Sequence, residues 1–489
     1  MVDPRSPVVV GVGQSSQRVP VESARAPMDL FEEAARNAEA DAGVAMLPKV
    51  DIVAVAQIVS WPYPDPGAFL ARRLGITPRA TAVSTIGGNS PLLLLHEFAS
   101  RIQNNECDVV LLGGTECVYT RWRARREPKF ELTWELPKEP QCEWVIGDDR
   151  APSTDYEMVH GATAPTNIYP LFETALRAEA GRSVADHQHY IGELWSRFAN
   201  VAADNPNAWT RERYTADDIA TVTPDNRAVV FPYVKRMNAN IDVDQSAAVI
   251  LCAYETARAA GVSDDRMVFL HGASEAKDHW FVSERWSFTE SPAIAAAFED
   301  ASQVAGISNV DVFDLYSCFP SAVQVGANAV KAGSQPLTVT GGLGFAGGPA
   351  NNYPTHAIAR MVETLRAHPD AFGCTTALGW YITKHAVSIW SARPPDHGFQ
   401  KSTGTQDRVD AQPKREVAGL IDGDATIEAT AVPFERDGSP MGATCTLLTD
   451  DGRRVFAQAP NHASAFTDDA WEGRRVRIGN DGSVNRVQE

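Results

Sequence analysis

The segment Ser84-Thr-Ile-Gly-Gly-Asn-Ser-Pro91 lies between a strand-like run and a helical pattern. Residues 80–83 have the composition of a strand, and Gly87 and Gly88 permit a tight turn. Pro91 suits the first turn of a helix, and apolar residues then recur at three- and four-residue spacing: Leu92, Leu95, Phe98, Ala99 and Ile102. The segment therefore predicts a strand-to-helix turn, with the partial positive charge of the helix N-terminus near the start of the turn.

Further strand and helix patterns surround this turn. Residues 107–114 have the composition of a buried parallel strand, which completes a strand–helix–strand unit. Residues 8–12 predict a first parallel strand, and residues 51–58 predict a second. The first part of the chain is therefore predicted to be an α/β structure.

The same order of patterns recurs later in the chain. Residues 310–315 predict a strand and residues 317–332 a helix, and a second glycine turn at 340–349 precedes a helix at 356–365. Two Gly-Gly turns that each lead into a helix and then a strand indicate an internal duplication. We therefore expect two similar halves, at residues 1–265 and 266–395.

Two segments depart from this α/β pattern. Residues from about 117 to 225 form a long insertion that is rich in Trp, Pro and charge, as is typical of segments that cover a site or contact a substrate. Residues 391–414 are polar and have the composition of a linker. Residues 410–489 then alternate polar and apolar positions between Asp-Gly turns, which predicts a small additional β domain, a barrel or a sandwich.

Three short motifs lie at predicted strand ends or in the glycine turns: the Ser84 turn with the following Gly113-Gly114-Thr115-Glu116, Asp314-Leu-Tyr-Ser-Cys-Phe319, and Ala346-Gly-Gly-Pro349. Their order and spacing over residues 7–390 resemble the active-site segments of thiolases, above all the sterol-carrier-type branch. With the β domain, the chain also resembles actinobacterial thiolase-like proteins of type 1, which are acetyl-CoA acetyltransferase-like. The resemblance implies a thiolase fold, with two duplicated βαβαβαββ halves in five layers and an oligonucleotide/oligosaccharide-binding-like C-terminal barrel.

The resemblance also places the first turn at the family's nucleophile. Ser84 stands where those enzymes have a catalytic cysteine, and a shift of one residue would put Thr85 there instead. Neither side chain is a thiol. Gly87, Gly88 and Gly347 are expected to lie beside a bound coenzyme A thioester, which is the implied substrate or ligand; no further cofactor and no metal is expected.

The other catalytic positions are also altered. Tyr316 replaces a histidine, Gly348 stands at the histidine of the family's Gly-His-Pro loop, and Cys318 matches. Cys318 is either a residual acid/base or nucleophile, or a small buried residue. The third catalytic loop falls within residues 374–385, where His385 either serves as a base, binds phosphate or has a structural role.

These changes bear directly on the expected reaction. A helix N-terminus can lower a cysteine pKa far enough to populate thiolate, whereas a serine needs an adjacent base. Removing one oxyanion donor costs about 10²- to 10³-fold in rate. We therefore expect an acyl-CoA-handling protein of lipid metabolism that is not a standard thiolase. The alternative is a non-catalytic acyl-CoA or lipid-binding protein or a partner scaffold.

Composition limits the partners and the compartment. Lys+Arg 44 against Asp+Glu 62 gives a net charge of −18, which disfavours nucleic acid and anionic membranes. The seven cysteines are scattered and suggest neither a disulfide framework nor a zinc site, which fits a cytoplasmic protein. No signal peptide or membrane span is predicted. By resemblance, strand 80–83 would pair in a dimer, unless the insertion and the added domain block it and leave a monomer.

Overall fold

The first half is built around a mixed β-sheet. The computed structural model describes residues 2–126, 130–138, 140–461 and 463–488. The elements of the first half are β1 (Pro7–Ser16), α1 (Pro27–Ala42), β2 (Ile52–Val55), α2 (Pro66–Leu74), β3 (Ala80–Ser84), α3 (Ser90–Gln103), β4 (Val109–Cys117), β8 (Asp244–Ala253) and α9 (Tyr254–Ala260). The insertion between β4 and β8 contains α4 (Val118–Arg126), β5 (Val145–Ile146), α5 (Asp155–Val159), α6 (Pro165–Glu179), α7 (Val184–Asp204), α8 (Ala216–Ala220), β6 (Ala228–Phe231) and β7 (Tyr233–Val234).

The second half repeats the arrangement of the first. It contains β9 (Val268–Lys277), α10 (Pro292–Ala305), β10 (Val312–Asp314), α11 (Pro320–Ala329), α12 (Gly342–Phe345), α13 (Tyr353–Ala367), β11 (Phe372–Gly379) and β12 (Lys384–Ser391). Its strands lie in the order β10-β11-β12-β9. The β1–β9 pairing, through Val8 and Phe269, joins the two halves into one sheet, which has eleven strands among the residues that the structure describes.

The strand directions differ in part from the prediction. β2, β3 and β4 are parallel, as expected, but β4 also pairs antiparallel with β8. The prediction that residues 8–12 form a parallel strand is wrong, because β1 is antiparallel to both β8 and β9. β1 is buried on both faces, and a continuous apolar run has the same composition in either direction.

Helices pack on both sides of each half and between the halves. α1 covers the outer face of the first half, and α10 packs on β9 and β12 of the second. α3 and α13 pack on each other and contact strands of both halves, so they form the central layer. This α-β-α-β-α arrangement places the glycine turns at the N-termini of α3 and α13 between the two halves, where Gly347 and Gly348 are buried, Gly88 is half-buried and Ile86 is exposed.

A second sheet combines the C-terminal segment with part of the insertion. Its C-terminal strands are β14 (Gly423–Pro433), β15 (Ala443–Leu448), β16 (Arg454–Ala459), β17 (Arg475–Asn480) and β18 (Asn485–Val487), and the insertion contributes β6 and β7. The short helix α15 (Ala465–Asp468) connects β16 to β17. The segment predicted as a linker is ordered in part, because β13 (Gln400–Lys401) and α14 (Thr405–Asp410) pack on β9 and α10.

The insertion also covers the outer edge of β3, the strand expected to pair in a dimer. Val83 N donates a hydrogen bond to Trp144 O (3.0 Å), and Thr85 N donates one to Ile146 O (2.8 Å). The short strand β5 thus occupies the hydrogen-bonding groups that a partner strand would need. Within the described ranges, no helix combines the length and the apolar character needed to cross a membrane.

Candidate functional site

The first turn encloses the Ser84 side chain. β3 ends at Ser84 and α3 begins at Ser90, as the glycines and Pro91 predict. The Ser84 hydroxyl is buried and accepts a hydrogen bond from Gln57 N (3.0 Å). Ser84 therefore ties β3 to the residues that follow β2.

The two glycines of this turn have different neighbours. Gly87 N donates to Asn351 Oδ1 (2.8 Å), and Asn351 Nδ2 donates to Gln57 O (2.7 Å). A Cβ atom on Gly88 would lie 2.1 Å from Tyr316 Oη. The Tyr316 hydroxyl thus occupies the space that a side chain at position 88 would need. Asn351, from the second half, hydrogen-bonds to Gly87 and Gln57 of the first half. The position of Asn351 directly after the second glycine turn is the sequence signal for this role, which was not predicted.

The second turn holds Gly347 and Gly348. Gly347 has a left-handed φ of 108°, and a Cβ atom there would lie 2.1 Å from Gln245 Oε1, so this position requires glycine. Gly348 N donates to Asn240 O (2.9 Å), and a Cβ atom added to Gly348 would have its nearest neighbours at 3.4 Å. The space at Gly348 would admit a small side chain without a collision.

Tyr316 is buried beside a very small cavity. Its amide donates to Thr376 Oγ1 (2.9 Å), and its ring packs edge-on against Tyr353 with centroids 5.6 Å apart. Burial raises the pKa of the Tyr316 phenol well above its usual range. The cavity next to Tyr316 measures about 10 Å³, which is room for about one water molecule.

Helix α6 of the insertion fills the space around Cys318. The Tyr169 ring stacks on Phe319 with centroids 4.3 Å apart, and its hydroxyl donates to Trp380 O (2.9 Å). Burial raises the pKa of the Cys318 thiol to about 12, although a hydrogen bond with Tyr169 opposes the rise. No role for Tyr169 was predicted from the sequence, because the composition of an insertion does not show which element it covers.

The third loop connects β11 and β12. It includes Trp380 and Ile382, which have left-handed φ values of 58° and 55°. Leu378 lies against the Ser84 turn, since a Cβ atom on Gly88 would be 2.4 Å from Leu378 O. The end of β11 therefore meets the first turn, whereas Cys374 lies inside the strand and is fully buried.

His385 contacts a buried carboxylate. Its Nε2 lies 3.3 Å from Asp278 Oδ2, an ion-pair distance at an angle that does not suit a hydrogen bond. Burial raises the pKa of Asp278, but the nearby Arg285 guanidinium and His385 outweigh it and leave that pKa below its usual range. Within the described ranges, no hydrogen bond joins the His385 side chain to Ser84 or Cys318.

Lys384, one residue earlier, does reach the first turn. Its Nζ donates to Ile86 O (2.7 Å) and to Asp148 O (3.1 Å). Burial lowers the pKa of Lys384 to about 8. Lys384 also lines an open cleft of about 630 Å³ between α3, β9 and the insertion, a volume typical of small-molecule sites. In the sequence, Lys384 stands out only as a neighbour of His385.

The cysteines and the possible metal ligands are dispersed. All seven cysteines are buried and unpaired. Across the part of the chain that the structure describes, no group of three or more His, Cys, Asp or Glu side chains is placed to hold a metal ion.

Comparison with solved structures identifies the fold of this chain as the thiolase fold. The chain matches an acetyl-CoA acetyltransferase from Syntrophomonas wolfei at 16% identity and a TM-score of 0.57, covering 80% of this chain and 100% of that one. It matches human mitochondrial 3-ketoacyl-CoA thiolase in complex with CoA at 17% identity and a TM-score of 0.56, covering 79% and 98%. These similarities confirm the predicted thiolase fold.

A closer similarity shows the family. A monomeric SCP2-thiolase like protein type 1 from Mycobacterium smegmatis matches at 31% identity and a TM-score of 0.84, over 100% of both chains. Residues 405–483 match the model of the thiolase-like protein type 1 additional C-terminal domain. A search of curated proteins found no match. The chain therefore belongs to the thiolase-like proteins of type 1, as the sequence motifs predicted.

Proposed function

We propose that this chain handles acyl-CoA thioesters on a thiolase scaffold without carrying out the standard thiolase reaction. One observation carries the proposal: the side chain at the nucleophile position, Ser84, is buried and accepts a hydrogen bond from a backbone amide. Its fold relatives include an acetyl-CoA acetyltransferase and a thiolase solved with CoA, which supports the ligand class.

The surroundings of Ser84 lack the groups that would activate a serine. A serine attacks an acyl carbon efficiently only when a base accepts its proton. Among the described residues, no histidine or carboxylate hydrogen-bonds to the Ser84 hydroxyl, and Gly348 supplies no side chain from the second turn. Ser84 is therefore not expected to form an acyl-enzyme.

Cys318 does not replace the missing nucleophile. With a pKa of about 12, its thiol is ionised in only about one molecule in 10⁴ at pH 8. Tyr169 and Phe319 also cover this position. Acyl transfer to Cys318 in this conformation is not expected.

A second candidate function is non-catalytic, as a binding protein for acyl-CoA or lipid or as a scaffold for a partner. The filled space around Cys318 and the cavity of about 10 Å³ beside Tyr316 favour it. We also propose a monomer, because β5 occupies the edge of β3 and the Mycobacterium smegmatis relative is described as monomeric. A cytoplasmic location and a role in lipid metabolism remain predictions.

The test combines turnover and binding. Full-length protein is incubated with a panel of acyl-CoA thioesters, and products are followed by mass spectrometry beside the Ser84→Ala variant. We expect no multiple turnover from either protein and measurable heat on titration with coenzyme A. Turnover that Ser84→Ala abolishes would contradict the first part of the proposal, and absence of heat with every acyl-CoA would contradict the second.

A further inference from the structure

Among the described residues, three lysines line the cleft, and their partners differ. Lys277 Nζ lies 2.8 Å from Asp148 Oδ2, and Lys401 Nζ lies 2.8 Å from Glu275 Oε1. Lys384 is the most buried of the three, and the hydrogen bonds of its Nζ go to two backbone carbonyls. Among the described residues, no carboxylate lies within 4.0 Å of Lys384 Nζ, so the cleft contains one lysine without a direct counter-ion.

The position of Lys384 suits a neutral amine. Two carbonyl acceptors match the two hydrogens of an uncharged amino group, which leaves its lone pair unbonded. Burial lowers the pKa of Lys384 to about 8, with Lys277 acting in the same direction. Asp148, Asp149 and the Trp380 ring, 4.9 Å from Nζ, favour the ammonium form.

Asn89 supplies an independent sign of a ligand in the same cleft. It is 2% exposed, and its Oδ1 has no hydrogen-bond partner. A Cβ atom added to Gly379 would lie 2.3 Å from Asn89 Oδ1 and 2.7 Å from Lys384 Cε, so both side chains pack closely against Gly379. Asn89 lines the same cleft, and its amide nitrogen can donate a hydrogen bond to a carbonyl oxygen bound there.

We propose that Lys384 is an acylation site that takes one acyl group from an acyl thioester bound in this cleft. The Nζ lone pair attacks the thioester carbonyl carbon, the C–S bond breaks, and the thiolate leaves and takes up the proton lost from Nζ. The products are an amide on Lys384 and a free thiol. Since an amide is stable, each chain accepts one acyl group and does not turn over.

Acylation of Lys384 rests on the proposed function, because it needs an acyl thioester as ligand. It also goes beyond that function, because it names the reactive group. Lys384 Nζ is hydrogen-bonded to Ile86 O in the Ser84–Gly88 turn, and Lys384 lines the open cleft next to that turn. Asn89 would stabilise the oxyanion of the addition step.

The experiment follows covalent labelling of the full chain. Wild type, Lys384→Arg and Lys331→Arg are incubated with acetyl-CoA, and in parallel with the acetyl thioester of N-acetylcysteamine, which lacks the nucleotide. Intact mass and peptide mapping locate the adduct. Lys331→Arg is the control, since Lys331 is exposed and does not line this cleft. We expect one acetyl group per chain on Lys384 in wild type and in Lys331→Arg, and at least a tenfold loss in Lys384→Arg.

The pH dependence separates Lys384 from surface lysines. Labelling of Lys384 should rise about tenfold per pH unit up to about pH 8 and then level off, whereas an ordinary lysine, with a pKa near 10.4, would keep rising above pH 9. Equal labelling of Lys384→Arg, labelling that rises above pH 9, or an adduct spread over exposed lysines such as Lys331 would overturn the proposal. If calorimetry detects acyl-CoA binding but no adduct forms, only the acylation of Lys384 is refuted; if neither thioester labels and no heat is seen, the proposed function fails as well.

Discussion

The two sides of the third loop differ in how much space they leave. On one side, Tyr169 of the insertion covers Cys318, and the cavity beside Tyr316 measures about 10 Å³. On the other side, Lys384 lines an open cleft of about 630 Å³. The closed side holds Tyr316 and Cys318, the residues that the motif resemblance predicts at catalytic positions, and neither of them lines the open cleft.

The same insertion builds both sides. α6 places Tyr169 against the third loop, while the segment after β5 places Asp148 O against Lys384 Nζ. Under the proposed function, the insertion closes the space around Cys318 and leaves the adjacent cleft beside Lys384 open. Variants on each side can break or sharpen this contrast.

The largest expected effect concerns the Cys318 thiol. Because burial raises its pKa to about 12, alkylation by iodoacetamide at pH 8 should be on the order of a thousandfold slower in the folded protein than in urea. Peptide mapping over time measures the rate at Cys318. Equal alkylation rates in the folded and unfolded protein would contradict the burial of the Cys318 thiol.

Removing the side chain that closes this side should lower stability strongly. Tyr169→Ala leaves a cavity between Phe319 and the third loop, so we expect the free energy of unfolding to fall by about 3–5 kcal/mol. Tyr169→Phe, which loses only the hydroxyl, should cost about 1–2 kcal/mol. Urea denaturation measures both. A loss below about 1 kcal/mol for Tyr169→Ala would contradict tight packing here.

The two glycine turns should respond differently to an added methyl group. In Gly88→Ala the methyl group meets Tyr316 Oη and Leu378 O, and we expect a loss of about 1–3 kcal/mol in the free energy of unfolding. Gly348→Ala is the matched control, because the nearest neighbours of its Cβ atom would be at 3.4 Å, and its free energy of unfolding should be unchanged or rise by at most about 1 kcal/mol. Equal losses would contradict the close contact of Tyr316 with the first turn.

The smallest effect is expected in the open cleft. The ion pair between Lys277 and Asp148 is partly exposed, so Lys277→Ala should change the free energy of unfolding by at most about 1 kcal/mol. The same denaturation assay, repeated at high salt, measures it. A loss above about 2 kcal/mol would mean that this ion pair stabilises the fold more than a solvent-exposed pair does.

The local elements of the fold were predictable from the sequence, and their pairing was predictable only in part. The predicted strand 80–83 and the predicted helix 356–365 lie within β3 and α13 of the structure. Both could be predicted because the local sequence of each segment is typical of one type of element. The direction of β1 was not predictable, because both of its faces are buried. The pairing of β5 with β3 was also missed, since a two-residue strand has no period to detect.

The sequence indicated which segments form the candidate site but not which residues surround them. The motif resemblance assigned the Ser84 turn, the Tyr316 strand end and the third loop to one site, and the structure places Gly88 against Tyr316 and Leu378. The sequence could not show that Tyr169 fills one side or that Lys384 faces a cleft. Both depend on how a long insertion packs, which no local pattern specifies.

We propose that the positions that the motif resemblance assigns to catalysis are closed or altered, so we do not expect this chain to carry out the thiolase reaction. The most direct measurement is steady-state product formation from acyl-CoA thioesters by wild type and by Ser84→Ala, at equal protein concentration. We expect no turnover above the uncatalysed rate in either protein. Repeated turnover by wild type that disappears in Ser84→Ala would contradict this expectation.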